Sequence, residues 1–240
     1  VERSIYSAIS QDWYPLEILV VDDCSTDNTL NLLEKLEEKY KEIRVIKNSQ
    51  NFGIGFVRHQ IIYEAKGEFL AFFDDDDISK NNRWKSQYQR IINYEKEKKI
   101  FSPVICHTNR KVIYPKGIIR IQSTMGTKLG SNMPKGIEVA KRILLGKHLR
   151  NGYGSCPTCS QMARLSTYKI VSGFDSKFRR GEDTDLIIRL ALNGTHFIGI
   201  QEALVEQTMT ISSDKGVDID FKYMFLLLKK HKTYIKKYGL

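Results

Sequence analysis

A mostly parallel, wound α/β sheet flanked by helices, with a less regular second half, is the fold class predicted by three features of this sequence. Short apolar, β-branched runs alternate with stretches of helical period from Leu16 to Ile92, the pattern of βαβ units. Two of those runs, Leu16–Val21 and Phe69–Phe73, are almost continuously apolar, as strands covered on both faces are. Glycine stops at Lys66-Gly67 and Asn193-Gly194 close the helical stretches before the next run begins.

Each element follows from local chemistry. Glu2–Gln11 carries Ile5, Ala8 and Ile9 at helical spacing and is ended by Trp13-Tyr14-Pro15. The chain starts inside this helix, so a further strand is expected ahead of it and the sheet is expected to lack a member. Ser25-Thr26-Asp27 offers cap chemistry for a helix with Leu30, Leu33 and Leu36 on one side. Ile43–Ile46 predicts a second strand, and Asn51-Phe52-Gly53 a turn into a helix that runs through Ala65. After Phe69–Phe73, a longer helix places Trp84, Tyr88, Ile91 and Ile92 on one face. Beyond it, Val104–His107, Val112–Tyr114 and Ile118–Ile121 predict three short strands, with turns at Asn109-Arg110 and Gly117. Gly136–Leu145 predicts a helix, 146–160 a glycine-rich loop, and Ser166 a cap for a short helix ending at Gly173. Glu182–Leu192 is a well-marked helix, and Phe197–Ile200 and Ala203–Val205 are expected strands. This organises the chain as a nucleotide-binding half over 1–110, an acceptor-binding and base-bearing half over 111–205, and a basic amphipathic tail over 206–240.

Composition excludes several classes. With 240 residues, 41% hydrophobic and 28% charged, the chain can bury a core and is not a disordered polypeptide. The longest apolar run, Tyr223–Leu228, falls far short of the roughly 20 residues that span a bilayer. Four cysteines, Cys24, Cys106, Cys156 and Cys159, are too few for a disulfide scaffold, so a reducing, cytoplasmic setting fits. The net charge of +10 suits an anionic partner such as a nucleoside diphosphate or a lipid phosphate. Nucleic acid is not expected, because aromatic residues are not interleaved with the basic ones outside the tail.

The chemistry lies in the acids. In an open parallel sheet, ligands bind beyond the carboxyl ends of the strands. Two strands end there in Asp22-Asp23 and Asp74-Asp75-Asp76-Asp77. Six carboxylates at one sheet edge repel each other unless a counter-charge joins them. A hard divalent cation, Mg²⁺ or Mn²⁺, prefers oxygen ligands of this kind together with phosphate oxygens. Asp27 is better explained as a helix cap.

Taken in order, Ser4–Gln11, Leu19–Asp27, Asn51-Phe52-Gly53, Arg58, Gly67–Leu70, Phe73–Asp77, Gly173-Phe174-Asp175 and Gly181-Glu182-Asp183 resemble the family 2 glycosyltransferases of GT-A fold. The resemblance covers roughly residues 2 to 205. It implies an inverting transfer of sugar from a nucleoside-diphosphate sugar, UDP-sugars favoured, to a saccharide or lipid-linked acceptor in surface polysaccharide synthesis. It also implies roles. Asp23 would accept a hydrogen bond from the base, Asp22 would hold that loop, and Arg58 would sit near the diphosphate. Asp74 would reach the ribose, Asp76 would bind the metal with Asp77 assisting, and Asp183 would be the general base.

The chain departs from the family pattern in three places. No opening strand with its Thr-Tyr-Asn turn is present, Val57-Arg58-His59 replaces Ala-Arg-Asn, and Glu206-Gln207-Thr208 lacks the usual Arg or His beside the metal.

The tail carries seven lysines against two aspartates over 215–240. It fits either a helix docked on the core or one lying on an anionic membrane, which would make the protein peripheral on the inner face. Two other functional readings remain at this point. Asp74-x-Asp76 also resembles the nucleophile motif of haloacid-dehalogenase-type phosphatases, although that leaves Asp22-Asp23 without a task. A non-catalytic nucleotide-binding version of the transferase fold is the other.

Overall fold

The computed structural model describes residues 1–99, 103–127, 132–149, 152, 154–209 and 217–238. In chain order it contains α1 (Glu2–Ile9), β1 (Ile18–Asp22), α2 (Thr29–Lys39), β2 (Ile43–Lys47), α3 (Ile54–Glu64), β3 (Phe69–Ala71), β4 (Ile78–Ser79) and α4 (Arg83–Lys98). There follow β5 (Val104–Ile113), β6 (Ile119–Gln122), α5 (Ile137–Leu145), β7 (Gln161–Arg164), α6 (Leu165–Lys169), α7 (Glu182–Leu192), β8 (His196–Thr208), α8 (Val217–Lys230) and α9 (Lys232–Tyr238). None of the described helices is long and apolar enough to cross a membrane.

The expected α/β sheet flanked by helices is present, and its strands run in both directions. β1 and β2 form a parallel pair, while β3, β7, β5, β8 and β4 lie side by side in a second sheet with β6 added to β5. Within that sheet only β5 and β8 run parallel; β3–β7, β5–β7, β5–β6 and β4–β8 are antiparallel. β5 is one ten-residue strand where two were expected. The expected turn at Asn109-Arg110 is instead a register shift in the β5–β8 ladder. Asn109 spends its turn chemistry there, with Nδ2 donating to the Gln201 carbonyl at 2.7 Å and Oδ1 accepting from the Thr124 amide at 3.1 Å. β8 likewise runs through both expected strands. The boundaries at 110/111 and 205/206 therefore fall inside strands, and the two halves share one sheet. The loop expected over 146–160 extends through Pro157, with 150, 151 and 153 outside the described residues.

Alternation along β5 feeds two cores, because successive strand residues point to opposite faces. Val104 and Cys106 pack with Ile91 and Tyr94 of α4 and with Ile198. Ile105 packs on the other side with Phe197, Ala163 and the α7 residues Leu186, Ile187 and Leu190. A third core joins α1, α2, β1 and β2 through Ile5, Ala8, Leu33, Leu36, Ile18 and Ile43.

Arg83, fully buried, fastens the sheet to α4. Its guanidinium donates to Ser79 Oγ at 2.8 Å, Gln87 Oε1 at 3.0 Å, and the Phe72 and Gln161 carbonyls at 3.0 and 3.2 Å. The tail is docked as two helices that break at His231. Leu227 and Tyr234 pack on the main core. Lys230 Nζ bonds Asp175 and Asp185 at 2.8 Å, and His231 Nε2 lies 2.9 Å from Asp185 Oδ1. Arg189 Nε completes the shell of the fully buried Asp185 at 2.8 Å.

Two outcomes follow. Arg83→Met strands buried carbonyls, so the urea-unfolding free energy is expected to fall by about 3 kcal/mol. Burial by itself raises the Asp185 carboxyl, but His231, Arg189 and Lys230 outweigh it and hold the group at about 2, below its ordinary 3.8. Because the folded value is depressed, the stabilisation is complete above the unfolded value and vanishes as pH falls through the folded one. The stability difference between the parent and Asp185→Asn is expected to shrink by about 2–3 kcal/mol from pH ~4 to below pH ~2, read by denaturant titration at each pH.

Candidate active site

The acids expected to act together come from three separate elements. β1 ends at Asp22-Asp23, the segment after β3 supplies Asp74–Asp77, and α7 opens with Glu182-Asp183. A cleft of about 1510 Å³ is lined by Asp22, Asp23, Arg58, Asp74, Asp76 and Asp183, together with Glu182. Residues 17–23 and 67–76 line the same cleft. Among the described residues β1 pairs only with β2 and β3 only with β7, so each presents an unpaired edge there.

Glycines allow the approach. Gly53, at φ +91°, takes a conformation that side chains disfavour, and its amide donates to Asp23 Oδ2 at 2.7 Å. A Cβ on Gly55 would sit 2.3 Å from the Phe178 carbonyl oxygen, so only glycine lets the start of α3 close on the segment before α7. That closeness brings Arg58 of α3 between two acids. Its Nη2 donates to Asp74 Oδ1 at 2.7 Å and its Nη1 to Glu182 Oε1 at 2.5 Å. Burial opposes the charge on Arg58, but Asp74 and Glu182 more than offset this and raise its pKa. Ser4 Oγ of α1 donates to the Asp74 carbonyl at 2.8 Å and fixes the acidic turn from the other side.

The candidate acids differ in the hydrogen bonds they make. Asp23 Oδ1 accepts from Asn48 Nδ2 at 2.9 Å and the Phe52 amide at 3.1 Å. With Oδ2 on Gly53, both its oxygens hold the loop. Asp22 is the acid with spare capacity: Oδ2 accepts from the Ser25 amide at 3.2 Å, while buried Oδ1 has no partner among the described residues. Arg58 lines the cleft, and its guanidinium bridges two carboxylates. Glu182, which forms half of that bridge, went unassigned in the sequence although it stands between Gly181 and Asp183. Asp183 is half-buried and accepts from the Thr184 amide at 2.6 Å. Asp185, two residues further on, serves the docked tail.

The two acids expected to bind a metal lie in different environments. Asp76 faces the cleft, and burial followed by its neighbours Asp75 and Asp74 raises its pKa. Asp77 lies behind, only 2% exposed, and among the described residues neither of its oxygens has a hydrogen-bond partner within normal geometry. Burial and then Asp74 push Asp77 up to about 7. Asp74, Asp77 and Cys159 bring potential ligand atoms within 4.8 Å of one another. The unpartnered Asp77 carboxyl and Asp74 fit a hard cation, but Cys159 does not, because burial raises its thiol well above the ordinary value. All four cysteines are free.

A mixed sheet that gathers strand-end acids and a helix start into one cleft defines an α/β protein of GT-A type. Residues 1–156 match the family described as glycosyl transferase family 2, and the chain belongs to that family. The match runs through both aspartate motifs, one of which the phosphatase resemblance left unused. The chain is 27% identical over 207 residues to the putative glycosyltransferase EpsE of Bacillus subtilis, covering 84% of this chain and 66% of that protein. It is 32% identical over 89 residues to the putative teichuronic acid biosynthesis glycosyltransferase TuaG of B. subtilis, 37% of this chain and 35% of the relative. The chain therefore spans between about a third and two thirds of the length of these curated relatives. The crystal structure of S. aureus TarS 1–349 in complex with UDP superposes with a TM-score of 0.65 at 22% identity, over 95% of this chain and 60% of that one.

Removing the bridge should expose its strength. Arg58→Met leaves the buried Glu182 and the partly buried Asp74 without their cation, and a loss of about 3–5 kcal/mol in unfolding free energy is expected. Glu182→Gln, which keeps a hydrogen-bond partner, should cost less than half as much in the same denaturant titration.

Proposed function

We propose that this chain transfers a sugar from a nucleoside-diphosphate sugar to an acceptor hydroxyl with inversion, in the synthesis of a surface polysaccharide. The observation that carries this reading is the meeting of Asp22, Asp74, Asp76 and Asp183 around one cleft, although they arise from three distant segments. A UDP-sugar is the favoured donor. In support, the relative WfaP of Escherichia coli, 32% identical over 101 residues covering 42% of this chain and 38% of WfaP, is described as a UDP-Glc:alpha-D-GlcNAc-diphosphoundecaprenol beta-1,3-glucosyltransferase. TarS has been solved in complex with UDP-GlcNAc.

In this reading the base of the nucleotide packs on the loop held by Asp23. The unpartnered Oδ1 of Asp22 accepts its N–H, and this satisfies an acceptor that is costly to leave buried and bare. Asp74, held by Arg58, lies at the ribose end of the diphosphate. Asp76, with Asp74 and Asp77 beside it, would hold Mn²⁺ or Mg²⁺. When bound, the cation offsets negative charge on the departing nucleoside diphosphate.

Asp183 takes the acceptor proton as the acceptor oxygen forms its bond to the anomeric carbon. The bond from that carbon to the diphosphate breaks on the opposite face, which inverts the centre. The acceptor is a saccharide or a lipid-linked saccharide, and the reaction runs in the cytoplasm.

Asp183→Asn removes the base and keeps the shape. Sugar transfer is expected to fall by ~10²- to 10⁴-fold while nucleotide affinity is unchanged. Transfer by this variant at the parent rate would remove Asp183 from the mechanism.

A further inference from the structure

The tail helix α8 shows two faces with different chemistry. Tyr223, Leu227 and Lys230, spaced four and three apart, turn toward the protein. Leu227 packs on the core, Lys230 bonds Asp175 and Asp185, and Tyr223 lines the cleft. Rotated by half a turn, Phe221, Met224, Phe225 and Leu228 follow at i, i+3, i+4 and i+7 and form a single outward stripe. Their exposures are 61%, 49%, 70% and 39%. Four large apolar side chains in one exposed row are unusual for a surface that meets only water.

Charge identifies what such a stripe meets. Residues 221–238 hold six lysines and no carboxylate. One of them, Lys230, is consumed by the docking contacts. Lys222, Lys229, Lys232, Lys236 and Lys237 are exposed. Lys222 and Lys229, seven residues apart, flank the apolar row on the same side. An apolar stripe bordered by lysines matches the boundary between acyl chains and anionic headgroups, where the row enters the membrane and the ammonium groups meet phosphate.

We propose that α8 is an interfacial membrane-binding element whose occupant is the surface of an anionic bilayer. The docked face anchors α8 to α7 through Asp185, and Lys222 and Tyr223 line the same cleft as Asp183. Binding therefore sets the acid-lined cleft beside the headgroup layer. Resting on the transferase reading, this further assigns the acceptor to the lipid-linked class, delivered from the membrane plane. The membrane contact itself is measured without turnover, so its failure and that of the transferase reading are told apart.

The test is flotation of the whole chain with vesicles of equal parts phosphatidylcholine and phosphatidylglycerol, at physiological ionic strength, against pure phosphatidylcholine. The chain should float with the anionic vesicles and not with the neutral ones. Phe221→Ser/Phe225→Ser and Lys229→Gln/Lys232→Gln should each weaken that binding by at least about tenfold. Both pairs are exposed, so an unchanged thermal unfolding midpoint verifies that the fold survives. Nucleotide binding should be the same in both variants and the parent. Failure of the parent to bind anionic vesicles, equal binding to neutral ones, or full binding by the serine pair would overturn the proposal. So would self-association of the parent in sedimentation that the serine pair abolishes, since the stripe would then face a second copy.

Discussion

The buried guanidinium of Arg58, gripped by Asp74 on one side and Glu182 on the other, is the contact on which the geometry of the cleft depends. It joins the segment after β3 to the first turn of α7, two segments more than a hundred residues apart in sequence. Without a cation between them, two carboxylates at this depth would repel each other and favour protonation. The bridge needs α3 to come very close to the segment preceding α7, and Gly55 supplies the missing side chain that makes this approach feasible. A backbone requirement at one glycine thus becomes an electrostatic arrangement at the site.

Helix α7 is held from both ends of its acidic first turn. Glu182 faces Arg58, whereas Asp185 turns away into a pocket of Arg189, Lys230 and His231. Asp183 lies between these two fixed acids and is left facing the cleft. If Asp183 is the base of the proposed transfer, this rigid support on either side preorganises it. The mixed sheet contributes differently. β5 and β8, long and bulged, carry two of the three cores, while the edges of β1 and β3 that are unpaired among the described residues leave the acids of their C-terminal ends around open space.

The sequence revealed the acids because they stand at strand ends, where apolar runs stop abruptly, and because the α7 boundary is marked by Gly181 and a clean apolar period. Strand direction was not legible. Apolar runs such as Gln161–Arg164 carry no mark of the partner they pair with, and β7 enters between β3 and β5 antiparallel to both. The Asn109-Arg110 pair has turn chemistry that a bulge uses equally well, so local propensity could not tell a reversal from a register shift. Which of Asp22 and Asp23 bonds the Asn51–Gly53 loop was also hidden, since that depends on the tertiary approach of the loop. Arg58 and Glu182 were both visible as residues, but their pairing belongs to tertiary structure.

The central claim is that these distant carboxylates form one site for a nucleoside diphosphate and a divalent cation. Calorimetric titration of UDP into the protein, with Mn²⁺ present and again after chelation, tests it most directly. Saturable one-to-one binding that weakens by at least about tenfold, or ~1.4 kcal/mol, when the metal is removed is the predicted result. UDP binding of equal strength with and without the metal, or none in either case, would contradict it.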